Sequence, residues 1–286
     1  MIFIHIGLHK TGTTFMQNCV FPHFDIGYLG LSSSKGKSSS FNNRRLIEEL
    51  FEYDIDNDNV LLSDENLLWQ GSLLSSSCRM SKSHNENYLR VLRNIKTIFP
   101  HAKMIISFRR HDKYVKSLYK HYIGMGGVTN VNSFYKNLPL NTNSLDYMEL
   151  IRSIENLFGV PFVYLQEELN NNSDFQDLLD DLSNYMGVEG PDMSSISKQK
   201  KNVGLYYYQT QFLRKYNTLF TTKFNQGYTS NKFIYYAIRK LALSLMDKIT
   251  KNNVFDDKLE KSIMRQYQND WKSVHEYIYY TRGKRV

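Results

Sequence analysis

The first seventeen residues, MIFIHIGLHKTGTTFMQ, place the strongest constraint on how this chain can fold. A short run of β-branched and aromatic residues ends at Gly7, and a loop follows it as far as Gly12. Thr13 and Thr14 then open a segment in which apolar residues recur at helical spacing. The pattern predicts a buried strand, a glycine-bounded loop and the N-terminus of a helix.

Such a loop favours a phosphate-like anion, because backbone N–H groups converge there and the helix end carries partial positive charge. The spacing is close to the nucleotide-triphosphate loop G-x-x-x-x-G-K-[ST], with Gly7, Gly12 and Thr14 in place. Thr13 stands where that loop has its lysine, and the nearby lysine is Lys10, inside the loop. The motif therefore indicates a phosphate-type ligand other than ATP held by magnesium. An ordinary strand-to-helix turn is the structural alternative.

Composition limits the class of protein. A chain of 286 residues can bury a large core, and 41% hydrophobic with 22% charged residues are ordinary values for a soluble globular protein. No apolar run is long enough to cross a bilayer, and the N-terminus lacks the basic segment of a signal peptide. The two cysteines, Cys19 and Cys78, argue against a disulfide framework and for a reducing compartment, the cytoplasm.

Strand and helix patterns alternate as far as residue 165, which predicts an α/β fold with a parallel sheet flanked by helices. Asp112 is predicted to be the N-cap of the helix that follows the third strand. After residue 205 only helices are predicted. We expect a single domain over 1–286, with an α/β core over 1–204 and a helical C-terminal extension over 205–286. The predicted strands after the first are Val60 to Ser63, Lys103 to Phe108 and Phe162 to Leu165, and the C-terminal helices lie near 205–219, 231–249 and 256–280.

Two motifs together resemble a known family. GLHKTGTT is similar to the 5′-phosphosulfate-binding loop of sulfotransferases that use 3′-phosphoadenosine 5′-phosphosulfate (PAPS), whose pattern is near G-x-x-K-[ST]-G-[ST]-[ST]. FRRHDKYVKSLYKHY resembles their 3′-phosphate-binding motif, in which an arginine ends a strand and a serine follows eight positions later. Arg109 and Ser117 have that relation, although Arg110 and His111 stand where the family often has Asn-Pro. The resemblance covers most of residues 1–205 in pattern, includes bacterial members, and implies their P-loop-like fold.

The resemblance also implies which residues bind the donor nucleotide. Lys10 would lie beside the bridging oxygen and stabilise the departing 5′-phosphate, while Arg109 and Ser117 would bind the 3′-phosphate. Lys201 belongs to a basic loop where a lysine could cover the 3′-phosphate, and a solvated run of charge is the alternative there. No metal is required in this interpretation. The complete set of predicted cofactor-binding residues is His9, Lys10, Thr11, Gly12, Thr13, Thr14, Arg109, Ser117 and Lys201.

Sulfuryl transfer to a hydroxyl needs a base, because the acceptor must lose its proton as the new S–O bond forms. The stretch SDEN at 63–66 resembles one that bacterial relatives carry after the second strand, which makes Glu65 the predicted base. Asp64 is the competing candidate, and a helix cap is the structural alternative for Glu65. His5, inside the first strand, and His9, in the loop, rank below it.

The net charge of +8 favours a polyanionic partner but does not choose among nucleotide, nucleic acid and acidic glycan. A kinase or NTPase with a variant phosphate loop is one alternative function, and a basic nucleic-acid-binding protein is a weaker one, because the aromatic residues fit helix faces. The acceptor is not specified by any motif. The acidic base and the bacterial resemblance favour a carbohydrate, by analogy. Loops 31–43, 71–83 and 124–143 and the C-terminal helices are expected to shape its site, and the oligomeric state is open.

Overall fold

The computed structural model describes residues 1–30, 59–64, 67, 84–137, 145–196, 205–222, 224–247 and 257–283. Within these ranges, parallel strands form one five-stranded sheet in the order β2-β3-β1-β4-β5. The predicted α/β fold with a parallel sheet is therefore confirmed. The strands are β1 (Ile2–Gly7), β2 (Gly27–Gly30), β3 (Val60–Ser63), β4 (Lys103–Phe108) and β5 (Phe162–Leu165).

Helices cover both faces of the sheet and make up the C-terminal part. The first helix is irregular, because α1 continues into a π-helical turn, Met16–Val20, and a 3₁₀ turn, Phe21–His23. The α-helices are α1 (Thr13–Phe15), α2 (His84–Ile98), α3 (His111–Gly124), α4 (Val131–Asn137), α5 (Tyr147–Phe158), α6 (Asn172–Met186), α7 (Tyr207–Asn217), α8 (Lys232–Asp247), α9 (Asp257–Gln266) and α10 (Gln268–Arg282).

Several details differ from the sequence prediction. Asp112 is not the N-cap of α3, because Arg110 occupies that position and the Asp112 carboxylate pairs with its guanidinium at 2.7 Å. The helix predicted over 256–280 is two helices, α9 and α10. The short edge strand β2 and the short helix α4 were not predicted. Loops 31–43 and 71–83 lie outside the described residues.

The sheet separates two apolar cores. Alternate residues of β1, such as Ile4 and Ile6, face a core shared with α2, α3 and α5, while Phe3 faces the core shared with α6. Ile263 of α9 and Ile278 of α10 belong to the same cluster as Ile4. The C-terminal helices are thus packed into the core of the sheet; the division of the chain at residue 205 stays a prediction.

A buried ion-pair network ties the last helix to the sheet. The Arg282 guanidinium lies 2.9 Å from Glu168 Oε1 and 2.9 Å from Asp181 Oδ2, and its side chain is 5% exposed. Glu168 Oε2 also accepts a hydrogen bond of 2.6 Å from the Leu165 N–H. The network therefore holds the C-terminus of α10 against the end of β5.

Replacing Arg282 by methionine should lower the free energy of unfolding by about 3–5 kcal/mol, because the buried Glu168 and the partly buried Asp181 lose their cation. Urea denaturation followed by circular dichroism measures the change. The control is Lys272→Met, which removes an exposed i,i+4 pair with Glu276 and should cost less than about 0.5 kcal/mol. Equal losses in the two variants would contradict the role of the network.

Candidate active site

The chain connections that follow the two central strands, β1 and β4, lead in opposite directions. From the end of β1 the chain continues towards β2 on one side of the sheet, and from the end of β4 it continues towards β5 on the other. Connections that part in this way leave a crevice at the carboxyl edge, where open α/β sheets bind ligands. Loop 8–12 follows β1 and Arg109 follows β4, so both predicted motifs begin at this crevice.

The buried Thr11 hydroxyl holds the loop after β1 in place. The Thr11 hydroxyl donates to the Leu8 carbonyl oxygen at 2.6 Å and lies 2.7 Å from Ser107 Oγ on β4. Lys10 adopts a left-handed backbone conformation, with a φ of 72°, and its side chain is exposed. Gly12 has a φ of 91° and forms the N-cap of α1. The loop therefore presents Lys10 outward while Thr11 anchors it to the neighbouring strand.

Both glycines of the motif make room for other side chains. A Cβ atom at Gly7 would collide with Thr13 Oγ1, and one at Gly12 would collide with Leu169. The Thr13 side chain is buried, whereas that of Thr14 is exposed. Of these paired threonines, Thr14 is therefore the one whose hydroxyl lies at the surface.

Arg109 lies directly against the loop. Its Nη1 donates to the Lys10 carbonyl oxygen at 3.2 Å. Its Nε is buried and has no hydrogen-bond partner among the described residues. Burial lowers the pKa of the Arg109 guanidinium, and the nearby Glu167 carboxylate partly opposes that shift. The structure thus places Arg109, from the second predicted motif, against the loop of the first, and leaves a buried cationic donor beside that loop.

The face of α3 next to Arg109 is basic. Ser117 is half-buried on this helix, and Lys116 Nζ lies 2.7 Å from Glu260 Oε1 of α9. Burial lowers the pKa of Lys120 to about 8, and the positive charges of Lys116 and Arg109 add to that shift. Sequence reasoning did not assign Lys120, although it lies three positions after Ser117 and so shares its helix face. No local sequence pattern indicates Glu260, because its contact with Lys116 of α3 joins residues far apart in the chain.

The backbone of Arg109 is held by Tyr147 of α5, which is supported in turn by residues from the C-terminal part. The Tyr147 hydroxyl donates to the Arg109 carbonyl oxygen at 2.9 Å. The His111 ring stacks between Tyr147 at 4.2 Å and Tyr267 at 4.6 Å, and its Nε2 lies 3.1 Å from Asp270 Oδ2. Asp270 also accepts a hydrogen bond from the Tyr147 N–H at 3.2 Å. Helix α10 therefore positions Tyr147, and Tyr147 positions the end of β4.

One candidate base, Asp64, lies at the carboxyl end of β3. Asp64 is buried there, and its N–H donates to the His5 carbonyl oxygen at 3.2 Å. His5 is a core residue: its Nδ1 lies 2.7 Å from Ser63 Oγ and its Nε2 lies 2.9 Å from Tyr164 Oη. Burial lowers the pKa of His5 to about 3, so the ring is neutral. Glu65 and Lys201 lie outside the described residues.

Comparison with known proteins gives one structural similarity. No family model matches the chain, and no curated protein matches it. The structure is similar to the crystal structure of a sulfotransferase from Alicyclobacillus acidocaldarius, with 16% sequence identity and a TM-score of 0.40 over 69% of this chain and 76% of that chain. A structural neighbour is thus a sulfotransferase. At these values the function has to be argued from the residues of this chain.

The described residues offer neither a cluster of metal ligands nor a helix that could span a membrane. No group of three or more His, Cys, Asp and Glu side chains in the described ranges is arranged to hold a metal ion. The helices in the same ranges are too short or too polar to cross a bilayer. His9 is half-buried in the loop, so its ring stays a predicted contact of the ligand.

Proposed function

We propose that this protein is a sulfotransferase that moves the sulfuryl group of PAPS to an acceptor hydroxyl. The observation that carries the proposal is the 3.2 Å hydrogen bond between Arg109 Nη1 and the Lys10 carbonyl oxygen, which joins the ends of two neighbouring parallel strands. A nucleotide with phosphates on both its 5′ and 3′ oxygens needs two cationic sites within its own length. Loop 8–12 and Arg109 are close enough to serve as that pair.

The residues present fit the two ends of such a nucleotide. Lys10, Thr14 and the backbone N–H groups from Gly12 to Thr14 would hold the 5′-phosphosulfate. Arg109 and Ser117 would hold the 3′-phosphate, and Lys120 adds a third group there. The buried Arg109 Nε supports this fit, since a buried donor without a partner is costly until an acceptor reaches it. Thr11 and Thr13 contribute by shaping the loop, while His9 and Lys201 are further proposed contacts.

The proposed reaction is a one-step, in-line displacement at sulfur. Glu65 takes the acceptor proton as the acceptor oxygen bonds to sulfur, and the bond between sulfur and the bridging phosphate oxygen breaks. The electron pair leaves with the 5′-phosphate, where Lys10 stabilises the developing negative charge. Asp64 is the alternative base. The acceptor we propose is a carbohydrate hydroxyl in the cytoplasm, by analogy with the bacterial proteins that the motifs resemble.

Calorimetric titration tests the proposal. Adenosine 3′,5′-bisphosphate should bind without any divalent metal, and adenosine 5′-monophosphate should bind more weakly because it lacks the 3′-phosphate. Transfer of label from PAPS to a panel of sugar acceptors would then identify the acceptor. Preferential binding of magnesium-ATP would favour the kinase or NTPase alternative, and preferential binding of an oligonucleotide would favour the nucleic-acid alternative. Either result would contradict the proposed function.

Arg109→Met should weaken the binding of adenosine 3′,5′-bisphosphate by about 30- to 300-fold, because a buried guanidinium contact to phosphate is lost. The affinity for adenosine 5′-monophosphate should change little. Arg110→Met is the matched control, since Arg110 is the next residue and its guanidinium is paired with Asp112 at 2.7 and 2.9 Å. A loss of the same size for both nucleotides would show that Arg109 does not read the 3′-phosphate.

The affinity for adenosine 3′,5′-bisphosphate should fall as the pH rises from about 7 to 9. Lys120 has a pKa of about 8, so it is protonated below that pH and loses its charge above it. The phosphates themselves are nearly fully ionised throughout that range, since their second pKa is about 6. In Lys120→Arg the charge persists, and the affinity should stay level over the same range. Equal slopes in the two proteins would exclude Lys120 from the site.

A further inference from the structure

A long part of the C-terminal region contains no acidic residue. From Leu205 to Met246 there is neither aspartate nor glutamate, although the whole chain has 28 of them in 286 residues. Helix α7 lies in this stretch, and so does all of α8 except its last residue, Asp247. The formal charges of residues 205–246 are all positive. The cations are Arg214, Lys215, Lys223, Lys232, Arg239 and Lys240. The two helices therefore carry an excess of positive charge, and Asp247 at the end of α8 is the one carboxylate in their own sequences.

Helix α8 exposes apolar side chains instead of covering them. Phe233 is 83% exposed, Leu241 is 63% exposed, and Ile234 and Ile238 are each nearly half exposed. Ile234, Ile238 and Leu241 follow one another at four and three positions, and Phe233 lies eight positions before Leu241, so the four residues share one side of the helix. Tyr235, on the other side, is buried and stacks on Tyr216 at 5.6 Å. We call the four exposed residues, Phe233, Ile234, Ile238 and Leu241, the apolar stripe.

An ordinary surface helix turns a polar face to solvent, whereas α8 turns the apolar stripe to solvent. Two exposed aromatic residues lie near it in sequence, Tyr228 at 92% and Tyr236 at 61% exposed. Lys240, also exposed, precedes Leu241 on the helix. A contiguous exposed apolar surface with polar or charged borders marks an interaction site. A binding partner that matches this arrangement has an apolar interior and a negatively charged surface.

We propose that the apolar stripe of α8 docks this protein on the surface of an anionic lipid bilayer. A helix with an apolar face, basic borders and aromatic residues lies in the plane of the bilayer interface, with its apolar face among the acyl chains. Lys240 of α8 and exposed Lys215 of α7 would then meet anionic headgroups. The 16 residues of α8 lie on the surface in this arrangement and do not span it.

Charge and side-chain type favour a bilayer over other occupants. A second copy of the chain would bring two basic surfaces together, which like-charge repulsion opposes. A nucleic acid would also match the positive charge, but base stacking uses planar side chains, whereas Ile234, Ile238 and Leu241 are aliphatic. The inference stands on α7 and α8 alone and does not depend on the proposed transfer reaction.

Vesicle co-sedimentation tests the proposal. The full chain should bind phosphatidylcholine vesicles that contain phosphatidylglycerol, bind pure phosphatidylcholine vesicles more weakly, and lose affinity as salt is added. The double variant Phe233→Ser/Leu241→Ser should reduce partitioning by roughly 10- to 100-fold. Its matched control is Ile98→Ser/Val160→Ser, which removes two similarly exposed side chains elsewhere and should bind like the parent.

Melting temperatures and a charge-reversal variant separate loss of docking from loss of folding. Because the substituted side chains are exposed, both double variants should keep the parent's melting temperature, and Lys215→Glu/Lys240→Glu should remove the preference for phosphatidylglycerol. The proposal is overturned if the parent protein does not bind anionic vesicles, or if the control variant loses binding as much as the stripe variant. A dimer or an oligonucleotide complex that depends on the stripe, in the absence of vesicle binding, would equally overturn it.

Discussion

Lys10→Ala will lower the turnover number for sulfuryl transfer by about 10²–10³-fold while changing the affinity for PAPS far less. The reason is that negative charge on the 5′-phosphate oxygen grows as the bond to sulfur breaks, so the ammonium group acts more strongly in the transition state than on the bound donor. Lys10 is suited to this role because its side chain is exposed while its carbonyl oxygen is held by Arg109. Because alanine also has a Cβ atom, the substitution should leave the strain of the left-handed backbone conformation at this position unchanged.

Steady-state kinetics and calorimetry on the same protein separate the two effects. Lys10→Arg should recover part of the turnover, since it restores a positive charge of different shape. Lys96→Ala is the control, because that lysine donates to the Pro100 carbonyl oxygen at the end of α2, and it should leave both quantities unchanged. Equal losses in donor binding and turnover would assign Lys10 to binding alone.

Glu65→Gln will remove most of the transfer rate, by about 10²–10⁴-fold, and leave the binding of adenosine 3′,5′-bisphosphate intact. Glutamine is close to glutamate in size but cannot accept the acceptor's proton. The pH profile provides a second readout, because the acidic limb that reports the ionisation of the base should disappear in the variant. Near-normal turnover in Glu65→Gln would contradict its role as the base.

Asp64→Asn is the comparison that separates the two adjacent carboxylates. Asp64 is 2% exposed, and its backbone N–H is bonded to the His5 carbonyl oxygen. The variant keeps that backbone bond, so the end of β3 should stay in place. We expect Asp64→Asn to retain more activity than Glu65→Gln. The reverse order would assign the proton transfer to Asp64.

Prediction from sequence was most successful where burial alone determines structure. The apolar runs of β1, β3, β4 and β5 predicted those strands correctly, because a parallel strand that is buried on both faces needs apolar residues throughout. The edge strand β2, GYLG, is half-exposed and has two glycines, so its pairing with β3 left no comparable pattern. Asp112 was wrong as a cap because the Arg110 guanidinium, two residues away, binds its carboxylate.

In the candidate site, too, residues with a local sequence pattern were predicted and residues brought in by long-range packing were not. Glycine spacing identified the loop after β1, and a strand-end arginine with a serine eight positions later identified Arg109 and Ser117. The long-range partners were missed: Tyr147 on the Arg109 carbonyl, Asp270 on Tyr147, and Glu260 on Lys116. Each of these contacts joins residues that no local period relates, so only packing brings them together.

By itself, the sequence determined the sheet-forming strands, the phosphate-type loop and the two motifs that resemble a sulfotransferase. Each of these features depends on residues that are close together in the chain. Only the tertiary structure decided that Lys10 and Arg109 are in contact across 99 positions of chain. It also decided that the Thr13 side chain is buried and that α8 exposes its apolar stripe. These outcomes depend on the order of the parallel strands and on which helix faces are covered, and both are set by long-range packing.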